Sequence, residues 1–208
     1  MADSKNNQKV VSENKNVEIW FEKNWKKCLV ALVLILVIGM TIFAVIYFKQ
    51  QKETEATRAL ASAKVADLPA LLEKNSSVPG AAAARIRLAD DLLAKKDYAG
   101  AKAQFKIVAD DASVAAELRS RAKLSAISCD ESAGKTKEAA EAFVLLMNDN
   151  TTPQRVRDEA GFHAGRIFLS LNDPRGKEIL QKIANTPADG SMANPWKKNA
   201  AALLKQAK

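Results

Sequence analysis

One histidine, two cysteines and a few acidic pairs are the side chains from which this 208-residue chain could build a reaction. His163 has no second histidine and no cysteine at a metal-ligating spacing, so zinc has no ligand set. A Ser-His-Asp relay would have to be assembled around that one imidazole, and the sequence has no nucleophile elbow. Gly134-Lys135-Thr136 resembles the end of a phosphate-binding loop, but the glycine such a loop needs five positions earlier is Cys129, and no strand precedes it. Asp90-Asp91 and Asp110-Asp111 are adjacent pairs. Neighbours on a helix point about 100° apart, so neither pair makes an acid–base site by itself. Cys28 opens an apolar segment and Cys129 lies far beyond it, which separates the two thiols and leaves Cys129 to act as a small buried hydrophobe. The expectation is no enzyme, with no catalytic, cofactor-binding or metal-binding residues.

The elements that carry these side chains read as helices. Ala is abundant while Gly (8) and Pro (6) are few, which favours the helix, because Gly and Pro cost the most there. The net charge of +8 comes from Lys and Arg interleaved with Asp and Glu along the chain. No basic run is flanked by stacking aromatics, so no nucleic-acid partner is expected.

Cys28 to Phe48, CLVALVLILVIGMTIFAVIYF, holds 21 residues without a charge. As a helix it spans about 31 Å, against a hydrocarbon core of about 30 Å. Lys26 and Lys27 precede it and Lys49 and Lys52 follow, where their long stems can snorkel; Trp20 and Trp25 on one side and Tyr47 on the other form an aromatic belt. The apolar run is too long for a signal peptide, and no cleavage site follows closely. Residues 28–48 are therefore read as an uncleaved transmembrane helix. Five Lys between Lys9 and Lys27 against four Lys or Arg between Lys49 and Lys64 give little orientation bias. An N-terminal anchor normally exports the long C-terminal part, which places residues 1–27 in the cytoplasm. Ile19, Trp20, Phe21 and Trp25 suit a short interfacial helix, with the rest of the tail expected to be disordered.

Beyond Lys49 the spacing predicts helices near 50–65, 67–74, 80–95, 98–109, 114–132, 136–147, 153–170, 174–184 and 194–206. The breaks between them are Asn75 to Gly80, Lys96-Asp97, Gly134, Asn148 to Pro153, Asn172-Asp173-Pro174 and Asn185 to Pro195, and Thr152 and Asp173 read as helix caps before a proline. Leu88, Ala89, Leu92, Tyr98, Ala101 and Phe105 have the spacing of a tetratricopeptide unit, with Arg85 and Ser113 departing from it. Small Ala89 and Ala101 would let two helices touch while Leu88, Leu92 and Phe105 fill in around them. The frame returns 38 residues on at Ala139 and Phe143, and again at Ala164, Gly165 and Phe168 with Gly176, Leu180 and Ile183 after a turn one residue shorter. The expected fold class is all-α: an N-terminal single transmembrane helix followed by a degenerate tetratricopeptide (TPR-like) helical-hairpin solenoid over residues 49–208.

In such a stack the first helix of each hairpin lines the concave face. Counting from Leu88, its exposed positions are Ile86, Asp90 and Leu93, then Leu124, Ser128 and Glu131, then Phe162, Arg166 and Leu169. Together these predict a protein-binding groove for an extended or helical peptide. The alternative is that the apolar members are ordinary core.

Ser77-Val78-Pro79-Gly80-Ala81-Ala82-Ala83-Ala84-Arg85-Ile86-Arg87-Leu88-Ala89-Asp90-Asp91-Leu92, a small-residue run leading to a Leu-Ala pair, and Asn194-Pro195-Trp196 ahead of an Ala-Leu helix, carry a family resemblance. With the tail–anchor–repeat layout, the chain resembles the ancillary SecYEG translocon subunit family (YfgM-like). The resemblance implies a bacterial inner-membrane protein with a periplasmic domain near the Sec translocon, in contact with translocon subunits, periplasmic chaperones or exported clients. It offers no catalytic residues. The competing expectation is a structural or assembly scaffold for an envelope complex, with a self-associating, homo-oligomeric TPR-like domain.

Overall fold

The structure, a computed structural model, describes residues 2–186 and 194–206. Its helices are α1 (Ala2–Ser62), α2 (Leu68–Lys74), α3 (Ala81–Ala94), α4 (Tyr98–Asp110), α5 (Ala116–Ser132), α6 (Thr136–Asn148), α7 (Gln154–Ser170), α8 (Arg175–Ala184) and α9 (Pro195–Gln206), with a 3-10 turn at Val65–Asp67. Among the described residues there is no strand. The predicted break from Asn185 to Pro195 falls largely outside the described residues. The chain divides into two compact units, Met1–Glu55 and Ala56–Lys208.

The first unit is helix alone. The tail expected to be disordered and the separate helix expected from residue 50 are both part of α1, which has no proline and a single glycine, Gly39, to interrupt it. Nothing in its composition stops the backbone hydrogen-bond ladder. Large apolar side chains from Leu29 to Phe48 are exposed on every side, and Gly39 has open space around it. Such a helix is at home in hydrocarbon, where its backbone groups are satisfied internally and its side chains lose no hydration. By length and composition it can cross a membrane, and it is the one such helix among the described residues.

The second unit begins with the last turns of α1. Leu60 is fully buried among Leu68, Leu72, Ala81, Ala84 and Leu88. A helix end leaves carbonyls without partners. Arg87 on α3 supplies them: its Nη1 donates to the carbonyls of Leu60 and Ala61, each at 3.0 Å, and its Nη2 to that of Ala63 at 2.9 Å.

From α3 to α9 each helix packs on the next in chain order. The 38-residue period is visible in the backbone. Lys96, Gly134 and Asn172 take φ of 63°, 84° and 56° at the ends of α3, α5 and α7. In each case two amides close the helix: Lys96 onto the Leu93 carbonyl and Asp97 onto Leu92, Gly134 onto Glu131 and Lys135 onto Asp130, Asn172 onto Leu169 and Asp173 onto Phe168. This is the Schellman arrangement, repeated three times. The Gly134-Lys135-Thr136 triplet is thus a helix stop. The connections out of α4 and α6 match as well. Asp111 Oδ1 accepts from the amide and hydroxyl of Ser113, and Asp149 Oδ1 from those of Thr151. These bonds hold the Asp149 carboxyl down at about 2.

The caps divide. Asp97 caps α4 through the Gly100 amide, whereas Asp173 accepts from the Arg175 amide while Pro174 occupies the cap position of α8. Thr152 does not cap α7. Its hydroxyl donates back to Asp149 at 3.0 Å, and Pro153 itself occupies the cap position.

Ala89, Ala101 and Phe105 form one buried cluster with Cys129. The largest, around Phe143 and Phe168, joins α5, α6 and α7. Where α8 meets α7 the backbones come close: a Cβ at Gly176 would lie 2.5 Å from the Leu169 amide nitrogen.

Candidate protein-binding surface

The side chains with the richest chemistry are held in packing roles. His163 lies in a ring cluster, its centroid 5.2 Å from Phe143, 5.8 Å from Phe162 and 5.6 Å from Trp196. Among the described residues its buried Nδ1 meets no hydrogen-bond partner, and burial pushes its pKa down, which favours the neutral imidazole. Cys129 is 1% exposed, and burial raises its thiol to about 11. Among the described residues no three His, Cys, Asp or Glu side chains group as a metal-ligand set.

Asp158 on α7 is 1% exposed and accepts from Gln154 Nε2 and Asn194 Nδ2, while Asn194 Oδ1 accepts from the Trp196 amide at the start of α9. Burial raises the Asp158 pKa, against the opposing pull of those bonds and of Lys197 and Arg157. A carboxyl whose folded pKa lies above its unfolded value contributes stability at low pH that is lost as pH rises through the folded pKa. Asp158→Asn keeps one of the two acceptor oxygens and loses a hydrogen bond at every pH, but its melting temperature relative to the wild type should rise between about pH 4 and about pH 7, when thermal melts are compared across that range. A difference independent of pH would disprove the burial argument.

Of the nine residues expected to line a groove, Asp90 alone is exposed. Leu124 is core, in the Phe143–Phe168 cluster. Ile86 and Leu93 pack against the Ala89–Ala101–Phe105 cluster, and Phe162 and Leu169 against Leu180, Ile183 and Ala200. Ser128 donates to the Leu124 carbonyl at 3.1 Å. Glu131 and Arg166 are brought together as an ion pair joining α5 to α7. The apolar members fill the seams between successive helices, because a stack of first helices has no other apolar material with which to close.

Open apolar surface lies instead on the side formed by the second helices of the hairpins. A cavity of about 320 Å³ is lined by Lys106, Ala109 and Asp110 of α4, Lys123, Ala126 and Ile127 of α5, and Ala142, Leu145, Leu146 and Asp149 at the α6 side. A second, of about 270 Å³, adjoins it at Lys106 and runs over Ala103, Cys129 and Ala133 toward Tyr98. Together they make a trough, walled by α4 and α6 over the α5 floor in the first cavity and continued between α4 and α5 in the second. Alanines supply most of its apolar lining, which is why it is hollow. Leu145 on its lip is 74% exposed, the most exposed large apolar side chain among the described residues of the second unit. The charges around it are mostly paired. Lys102 and Lys135 converge on Asp130, and Lys123 lies 3.7 Å from Asp149. A larger space, about 680 Å³, opens beside Met147, Arg157, Asp158, Ile183 and Thr186.

Nothing in the sequence pointed to this trough. The signal was the alanine content of α4 facing an exposed leucine on α6, which becomes readable only once the two helices are known to flank a third. No family model matches the chain, and no curated protein or solved structure matches it.

Proposed function

We propose that the chain is a membrane-anchored protein-interaction module: an apolar helix that holds it in the bacterial inner membrane, and a degenerate tetratricopeptide-like stack that binds other proteins. The observation that carries this reading is the trough between α4 and α6, an open apolar channel with a mostly paired charged rim. Apolar channels between helices suit peptide segments, which lose their own hydration on entering. Anchoring raises the local concentration of such a module near membrane-associated partners, so modest affinity suffices.

The resemblance implies a periplasmic domain and makes translocon subunits, periplasmic chaperones or exported clients the partners to look for, and the usual behaviour of an N-terminal anchor supports an N-terminus in the cytoplasm. Affinity isolation of the full-length chain in gentle detergent should recover translocon subunits or periplasmic chaperones. Recovery of neither would count against the reading. Protease added to intact and to opened cells checks the orientation. Cleavage of the domain only after the outer envelope is opened, with the cytoplasmic membrane still sealed, is the expected result.

A further inference from the structure

Lysines flank both ends of the apolar stretch of α1, but the two ends differ in what surrounds those lysines. Beyond Phe48, Lys49 Nζ lies 3.9 Å from Glu53, and Lys52 has Glu55 three residues on, so two lysines meet two glutamates. Before Cys28, the three lysines Lys23, Lys26 and Lys27 meet one glutamate, Glu22. Residues three and four apart are side-chain neighbours on a helix. No position three or four residues from Lys23 or Lys27 carries a carboxylate. Lys23 and Lys27 are themselves one turn apart, so two like charges repel with nothing beside them to offset it. Residues 19–27 are already helix, which fixes the bearings of these groups. At about 100° per residue, Trp20, Lys23 and Lys27 fall within about 60° of one another on one face, and all three are exposed. Lys26 is engaged elsewhere, its Nζ 5.8 Å from the centre of the Trp25 ring. Along the axis, Lys27 adjoins the first residue of the apolar stretch and Lys23 stands about 6 Å further out. The polar layer beside a hydrocarbon core is about 5–8 Å deep, so the two ammonium groups bracket it.

We propose that Lys23 and Lys27, with Trp20 on the same face, hold the headgroup of an anionic phospholipid in the leaflet around residues 20–27, and that the Lys49–Lys52 end has no such preference. Phosphate oxygens accept from the two ammonium groups, a charge-assisted pairing. The acyl chains lie along the apolar side chains that begin at Leu29. A zwitterionic lipid offers the same phosphate but brings its own cation, which cancels the charge the lysine pair lacks. A headgroup with net negative charge does not. At the other end of the stretch Glu53 already supplies that charge from within the chain. The inference rests on the reading of α1 as a membrane-crossing helix and adds the class of lipid that one end of it selects.

The test uses the full-length chain carrying Trp196→Phe, which leaves Trp20 and Trp25 as its tryptophans. It is reconstituted into bilayers of phosphatidylglycerol and phosphatidylcholine in equal parts, with one lipid or the other brominated on acyl carbons near the headgroup. Bromine quenches an indole that it touches, so the two quenching levels read which lipid occupies the flank. Phosphatidylglycerol should be preferred about fivefold, the scale of one lysine at an anionic surface. Lys23→Gln with Lys27→Gln should bring the preference close to one, and added chloride should shrink it in the parent chain. A second chain, with Trp20, Trp25 and Trp196 changed to Phe and with Tyr47→Trp, reads the other end and should show no preference. Equal quenching by the two lipids at Trp20 and Trp25, a preference that survives the double lysine change, or an equal preference at Tyr47→Trp would overturn the proposal. Inorganic phosphate, at the ionic strength of a chloride control, should lower the preference no more than the chloride does. A larger fall would assign the lysines to a free anion and overturn the lipid assignment. Quenching by neither lipid would place α1 outside the bilayer and overturn the membrane reading with it, so the two failures are distinguishable.

Discussion

Gly176→Ala should lower the melting temperature by about 10 °C, a loss of about 3 kcal/mol at about 2–4 °C per kcal/mol for a domain of this size. In an exposed helix the same change would stabilise by about 1 kcal/mol, because alanine is the better helix former. Here the new Cβ would sit 2.5 Å from the backbone nitrogen of Leu169 and 2.8 Å from the backbone oxygen of Gly165. Backbone atoms inside a helix cannot swing aside as a side-chain tip can, so α8 must move away from α7. That shift loosens Leu180, which packs against Gly165, and Ile183 beyond it. Gly134→Ala is the control. Its φ is +84° but no atom lies within 4 Å of the added carbon, so only the backbone preference is lost, about 1 kcal/mol. Calorimetry of the two variants in the same detergent should rank Gly176 well below Gly134. A Gly176→Ala melt within about 2 °C of the wild type would mean that the two helices are not in backbone contact.

Arg87→Met should release the start of the second unit while leaving its far end intact. The guanidinium makes three hydrogen bonds to carbonyls at and just beyond the end of α1. Each is charge-assisted, and a hydrogen bond to a charged group is worth about 1.5–3 kcal/mol. Part of that is recovered from water, because the Ala61 end of the cluster is exposed, so a net cost of about 3 kcal/mol is expected. Methionine keeps much of the apolar stem and so isolates the polar loss. Amide exchange should speed up about a hundredfold over residues 56–74, with little change in α7 and α8. Arg87→Lys should restore only part, since one ammonium cannot span three carbonyls in the geometry of the planar fork. Uniform acceleration across the domain, or none in residues 56–74, would show that Arg87 does not clamp this junction.

How far the structure was legible in the sequence depends on which physical signal was asked for. The helices from α2 to α9 lie within two residues of their expected bounds, because Asn, Gly, Pro and Asp punctuate an alanine-rich text at each break. The packing of small Ala89 and Ala101 was readable from spacing alone. The length of α1 was not: polarity in residues 2–27 suggests disorder by composition, yet no residue there breaks a helix. The helix stops at Lys96, Gly134 and Asn172 fall in expected breaks, but only Gly134 advertises the positive φ that all three adopt. Thr152 has the right type for a cap, but the side chain of Asp149 competes for its hydroxyl.

The candidate site was the least legible part. Counting along the first helices assumes that whatever does not face the partner helix faces water. Leu124 and Phe162 contradict that assumption, because a third surface, the seam with the next hairpin, claims them. The trough is lined largely by alanines drawn from α4, α5 and α6, a hollow that emerges only when the three helices are placed together in space.

The order of packing has a consequence for how the domain comes into being. Contacts run chiefly between helices adjacent in the chain, so closing each one costs little loop entropy and no early segment waits for a distant mate. A hairpin can therefore consolidate as soon as the next one is synthesised, and assembly can advance from Leu60 toward α9 like a zip. The polypeptide spends little time with long greasy stretches uncovered, which lowers its exposure to aggregation in a crowded compartment.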